Sequence, residues 1–210
     1  MRAGARVRPV QKVGPLALLG ILVFALVFAL LPSGSGPGAQ TGVTLRGVEL
    51  ALYPARDPDA VWQFRAAEVR NDPVGSTTEL SRIEGGQRLL RGRGPDGSFS
   101  GTETLDATIT APGLTINGQD DMVTSRADIT LVKECADLSL FGTPEQPVRI
   151  EQGAGFSASR AELDAPAVKG EILDLRMDFQ FNVEQASPES NWGWDPDATE
   201  TCRDGQRVPL

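Results

Sequence analysis

Histidine is absent from the 210 residues, and only two cysteines and one tyrosine are present. The missing imidazole removes the Ser-His-Asp and Cys-His nucleophile systems, His-built zinc sites and the commonest general base at neutral pH. The cysteines, Cys135 and Cys202, form no C-x-x-C pair and have no partner base in view, so thiol catalysis is disfavoured as well. Carboxylates, lysine and the lone tyrosine remain as chemical groups, yet they show no pattern. Asp120-Asp121 is followed by no EF-hand ligand series and reads as a solvated turn. Glu145, Glu151 and the other scattered acids form no carboxylate pair of glycosidase type. An enzyme is therefore not expected, and neither a cofactor nor a metal is implied. With a net charge of -8 and no basic clusters outside the N-terminus, nucleic acid is excluded as the main partner and acidic substrates are disfavoured.

Acidic side chains are missing from the whole start of the chain, the first being Glu49, while Arg2, Arg6, Arg8 and Lys12 crowd residues 1–12. Directly after them, Val13 to Leu31 carries no polar side chain. As a helix, such a run is about 28 Å long, close to the hydrocarbon thickness of a bilayer. Residues 13–31 are accordingly predicted to be a single-pass transmembrane helix, with the basic segment 1–12 cytoplasmic by the positive-inside rule and the remainder exported. A cleaved signal peptide is the competing reading, with Ser33-Gly34-Ser35 as its cleavage region. Residues 32–42 are mostly Pro, Ser and Gly, which makes them a flexible linker. With those four basic residues taken from a net charge of -8, the exported part stands near -12. Apolar residues at 40% of the chain suffice for one domain with a real core.

Helical periodicity is also lacking from Thr41 to about Glu184, where the period is two. Leu173 to Val183 is the clearest case: Leu173, Leu175, Met177, Phe179, Phe181 and Val183 alternate with polar residues and are predicted to share one face of a strand. Phase shifts near Gly47 and Ala66-Ala67 predict bulges in the strands Leu45–Tyr53 and Val61–Val69. Shorter strands are expected up to Leu163, with Gly and Pro between nearly all of them. Ala67-Glu-Val-Arg, Ala107-Thr-Ile-Thr, Ala127-Asp-Ile-Thr and Ala161-Glu-Leu-Asp repeat one pattern at irregular spacing, which suits stacked similar strands rather than a strict solenoid. The fold class is all-β. Both cysteines fall in the exported part, where a Cys135–Cys202 disulfide is expected to pin the C-terminal tail.

Certain stretches resemble a known family. Val43-Thr-Leu-Arg-Gly-Val-Glu-Leu50, Asp59-Ala-Val-Trp-Gln-Phe-Arg-Ala-Ala-Glu68, Gly118 to Thr130, Leu140-Phe-Gly142, Pro147-Val-Arg-Ile150 and Gly155 to Leu163, together with the basic start, single span and linker, are similar to the LptC family of the lipopolysaccharide export system, within the OstA-like group. The resemblance covers roughly residues 13 to 184. It departs at Asp57-Pro-Asp-Ala60, which lacks a glycine before the aromatic, at Arg88 to Gly101, which reads as an enlarged loop, and at the tail 187–210 with Trp192 and Trp194. The resemblance implies an incompletely closed, twisted β-jellyroll over residues 43–186, whose apolar trough receives the acyl chains of a glycolipid. The trough candidates are Trp62, Phe64, Ile109, Ile116, Ile129, Leu131, Ile150, Phe156, Leu163, Leu175, Met177, Phe179 and Phe181, and the same residues can equally be plain core. Implied partners are an inner-membrane ABC transporter and a periplasmic β-jellyroll bridge protein joined by edge-strand addition. A membrane-tethered β-sandwich that binds envelope polysaccharide or serves as an assembly adaptor is the alternative, with Trp192 and Trp194 stacking on sugar, docking a partner or capping the barrel end.

Overall fold

The computed structural model of the protein describes residues 43–210, and the basic segment 1–12, the apolar span 13–31 and the linker 32–42 lie outside the described residues. Every element described is a strand. In order they are β1 (Val43–Leu52), β2 (Ala60–Asp72), β3 (Thr77–Arg93), β4 (Phe99–Ile116), β5 (Met122–Thr124), β6 (Arg126–Leu131), β7 (Ala136–Phe141), β8 (Val148–Glu151), β9 (Gly155–Asp164), β10 (Val168–Met177), β11 (Val183–Gln185), β12 (Asn191–Trp194), β13 (Glu200–Arg203) and β14 (Gln206–Pro209). Among the described residues no helix is long and apolar enough to cross a membrane.

All pairings are antiparallel, and β1 through β12 form one sheet. β5 and β6 run in line along β4, interrupted at Ser125, and β7 and β8 run in line along β9 with residues 142–147 between them. The six strands β4, β5, β8, β9, β7 and β6 thereby close a ring of pairings, the barrel core of the sheet, with β1–β3 extending from β4 and β10–β12 from β9. Gly142 marks the inserted loop: a Cβ there would stand 2.4 Å from the Val148 nitrogen, so only glycine lets the two segments approach.

A register slip stands at one of the two places where the phase shifts predicted bulges. At the other, Gly47 has a positive φ of 61°, but the pairs Arg46–Glu68 and Val48–Ala66 keep one register across it, so β1 carries no bulge there. The β2–β3 register slips between Arg65 and Ala66, and the extra residue lies in β3, between Ile83 and Gly85, rather than in β2. Two other expectations are corrected. The stretch 88–101 is not a loop but the end of β3, a tight turn and the start of β4, closed by Gly94 N–H to Ser98 carbonyl at 2.8 Å. Nor does one strand run from Leu173 to Val183. β10 stops at Met177 because the Asp178 carboxylate accepts from the Gln180 and Asn182 N–H groups, both at 2.8 Å, and this side-chain turn reverses the chain. The periodicity of two continues through a reversal that polar residues make.

The core is one apolar cluster running from Trp62 to Phe179. Three of the four repeated alanines, Ala107, Ala127 and Ala161, are fully buried. They let neighbouring large side chains, such as Leu131 opposite Ala107 and Leu140 between Ala127 and Ala161, fill one layer. The tail belongs to this unit, which spans Thr41–Leu210. β12 pairs with β10, and the β13–β14 hairpin is joined to the β6–β7 turn by the Cys135–Cys202 disulfide.

Candidate functional site

Fold-over of the sheet is fixed by a polar clamp around the β1–β2 turn. Arg88 of β3 is 4% exposed and pairs with Asp57 of that turn at 2.6 Å and with Asp106 of β4. Its guanidinium lies 4.2 Å above the centre of the Phe179 ring. Beside it, the Trp62 indole N–H donates to Gln152 Oε1 of the β8–β9 turn at 2.9 Å, and both side chains are buried. Arg56 completes the clamp with Asp121 and the Gln119 carbonyl. The first half of the sheet is thus held against the ends of β8, β9 and β10, with Phe179 edge-on to both Trp62 and Phe156 at 6.2 and 5.9 Å.

Twelve of the thirteen trough candidates, Trp62, Phe64, Ile109, Ile116, Ile129, Leu131, Ile150, Phe156, Leu163, Leu175, Met177 and Phe179, are gathered in the one buried cluster, while Phe181 is half-buried against it. None of the twelve is more than 6% exposed. The apolar face they form does reach solvent at its two rims, where Phe181 alone was among the candidates. On β1, Val48, Leu50 and Leu52 stand opposite Ala66, Phe64 and Trp62 and share their core-facing side, half-buried. Leu45 continues that row at 51% exposed. At the other end of the sheet Val183, opposite Met177, joins Phe181 and Ala186 as half-buried apolar groups. Trp194, opposite Val168, is 75% exposed and Trp192 39%.

Among the described residues β1 and the β11–β12 line are the two ends of the sheet and do not pair with each other. The geometry is therefore an apolar face, packed in the middle, with solvent-accessible apolar rims on unpaired terminal strands. The alternation of β1 marked its apolar side in sequence; what no pattern marked is that β1 is terminal, because terminal position is a property of the whole pairing order.

One titration bears on the rim. Burial pushes the Asp178 carboxyl up, but hydrogen bonds from Asn182 and Gln180 outweigh it and hold the group below the usual carboxylate value. The turn that presents Phe181 is thereby built on an ionised carboxylate. Among the described residues no group of three or more carboxylates and cysteines is arranged to hold a metal ion. The chain matches no family model and no curated protein.

Proposed function

We propose that the protein is a membrane-anchored bridge of an ATP-driven glycolipid export machine, of the LptC kind. Its exported domain takes acyl chains along the apolar face of a twisted, incompletely closed β-jellyroll and passes them toward the outer membrane without chemistry. The observation that carries this reading is the continuity of that face from the buried cluster to half-buried rims at both terminal strands. A closed core needs no such rims, whereas a slide for acyl chains needs an apolar approach that does not cross polar side chains.

Val48, Leu50 and Leu52 on one side and Phe181 and Val183 on the other form the entrance, and Trp62, Phe156 and Phe179 stand behind it. Residues 13–31 anchor the chain beside the inner-membrane ABC transporter, which supplies the energy. The unpaired edge of β1 or of β12 accepts a strand of the periplasmic β-jellyroll bridge protein, so that the apolar faces join.

The test is binding of a fluorophore-labelled glycolipid to the full-length chain in nanodiscs. Leu50→Asp and Val183→Asp place a charge on each rim without entering the packed centre. Each is expected to weaken binding about tenfold, equivalent to about 1.4 kcal/mol, with the far-ultraviolet circular dichroism unchanged. Undiminished binding by both folded variants overturns the reading.

A further inference from the structure

The opposite face of the same sheet carries a second feature that the apolar reading does not use. Across β1, β2 and β3 two rows of directly paired, outward-facing residues run side by side: Glu49, Arg65 and Gly85 in one, Ala51, Gln63 and Gln87 in the other. They enclose a cleft of about 450 Å³, within the range of small-molecule sites. The dent arises because β3 carries one extra residue between Ile83 and Gly85 relative to β2, and bulges of this kind bend a strand and re-aim its side chains.

The two adjacent glycines of β3 differ in their need to be glycine. Gly86 faces the core, where a Cβ would stand 2.4 Å from the Ile109 side chain and 3.0 Å from the Phe64 ring; packing demands it. Gly85 faces outward, has no positive φ, and a Cβ there would meet nothing within 4 Å. It stands beside the extra residue of β3, and a glycine within a strand marks such a bulge or a close approach to the backbone. Whatever the bulge requires, the missing side chain leaves the β3 backbone open on the floor of the cleft.

We infer that this Gly85-floored cleft binds a neutral, hydroxyl-rich oligosaccharide. The side chains select for that chemistry. Glu49 and Arg65 neutralise each other at 3.0 Å, so the cleft favours neither anion nor cation, and together they present acceptors and donors to hydroxyl groups. Gln63 and Gln87, directly opposite each other and exposed, add two amides that donate and accept at once. Gly85 and Ala51, at diagonal corners of the two rows with Arg65 and Gln63 between them, leave two low places where C–H groups of a sugar ring can rest. A peptide would instead add to a free sheet edge, where its backbone finds partners. Gln87 stands opposite Thr108, which stands opposite Thr130 in a second cleft of about 300 Å³. A linear saccharide therefore has a polar path onward across the strands. The site lies on the outer face, and its occupancy is independent of acyl chains on the inner one.

The test uses the full-length chain in nanodiscs, with amide NMR shifts read during titration with cellotetraose, chitotetraose and maltotetraose, and glycerol as the acyclic control. At least one tetrasaccharide is expected to shift amides of residues 49–51, 63–65 and 85–87, with glycerol silent. Gly85→Val fills the floor where space is open, so its melting temperature is expected to equal or exceed that of the parent, while saccharide affinity falls about tenfold. Gln87→Ala is expected to weaken binding with the fold intact. Absence of shifts with all three tetrasaccharides, equal shifts with glycerol, or undiminished affinity in Gly85→Val overturns the assignment.

Discussion

Arg88 is a buried cation at the centre of the clamp. Two carboxylates and an aromatic face compensate a guanidinium that is 4% exposed, and removing it leaves Asp57 and Asp106 half-hidden with no cation between them. Arg88→Met is expected to destabilise the protein by about 3–5 kcal/mol, as breaking one side of a buried pair does, read from the midpoint of chemical denaturation. Asp178 yields a pH dependence. Its folded pKa lies below the unfolded value, so its contribution is present above about pH 3.9 and is lost as pH falls through the lower folded value. Asp178→Asn is therefore expected to flatten the loss of stability with acidification below that pH, most visibly in amide exchange of residues 179–183. Neither Arg88 nor Gln152 was legible as a buried polar residue. Their partners are 18 to 90 positions away, and nothing local in the sequence points to them.

Strands were readable where alternation met a Gly or Pro boundary, and the reading failed where polar chemistry worked against the pattern. In Leu173–Val183 the apolar rhythm was intact, but Asp178 had closer hydrogen-bond partners in Gln180 and Asn182 than a straight strand would offer. In 88–101 the glycines suggested a loop, yet the ladder continues to Arg93 opposite Phe99, with Arg91 and Arg93 stacked on the Phe99 ring at 3.7 and 4.5 Å. The C-terminal hairpin is an element with its own test. Arg207 reaches the Cys135 carbonyl, Asp137 and Asp164, but exposed ion pairs of this kind are worth little, and the disulfide is the main tether. Closing a 67-residue separation contributes about 4 kcal/mol in the chain-entropy model. Cys135→Ser/Cys202→Ser is expected to lower the melting temperature and release amide protection in 200–209, with β4 to β9 still protected. Unchanged exchange in the hairpin would show that Arg207 alone holds it.

On the scale of the whole molecule, the all-β class and the inward phase of nearly every candidate were legible because a sheet with one dry face must alternate. The closure of six strands into a ring, the position of β1 and β12 at the two ends and the clamp at Arg88 were not, since each depends on which strands meet. One consequence of that arrangement is central: an apolar face whose packed centre is reached through rims on the terminal strands. Site-specific photocrosslinking in the full-length chain, co-reconstituted with the proposed ABC transporter, measures it directly, with the crosslinker at Leu50 or Phe181 on the rim and at the exposed Arg70 of β2, outside both clefts, as the control. Glycolipid adducts are expected at Leu50 and Phe181, dependent on ATP hydrolysis, and none at Arg70. Adducts that form equally without ATP, or that appear at Arg70 and not on the rim, would contradict an apolar slide.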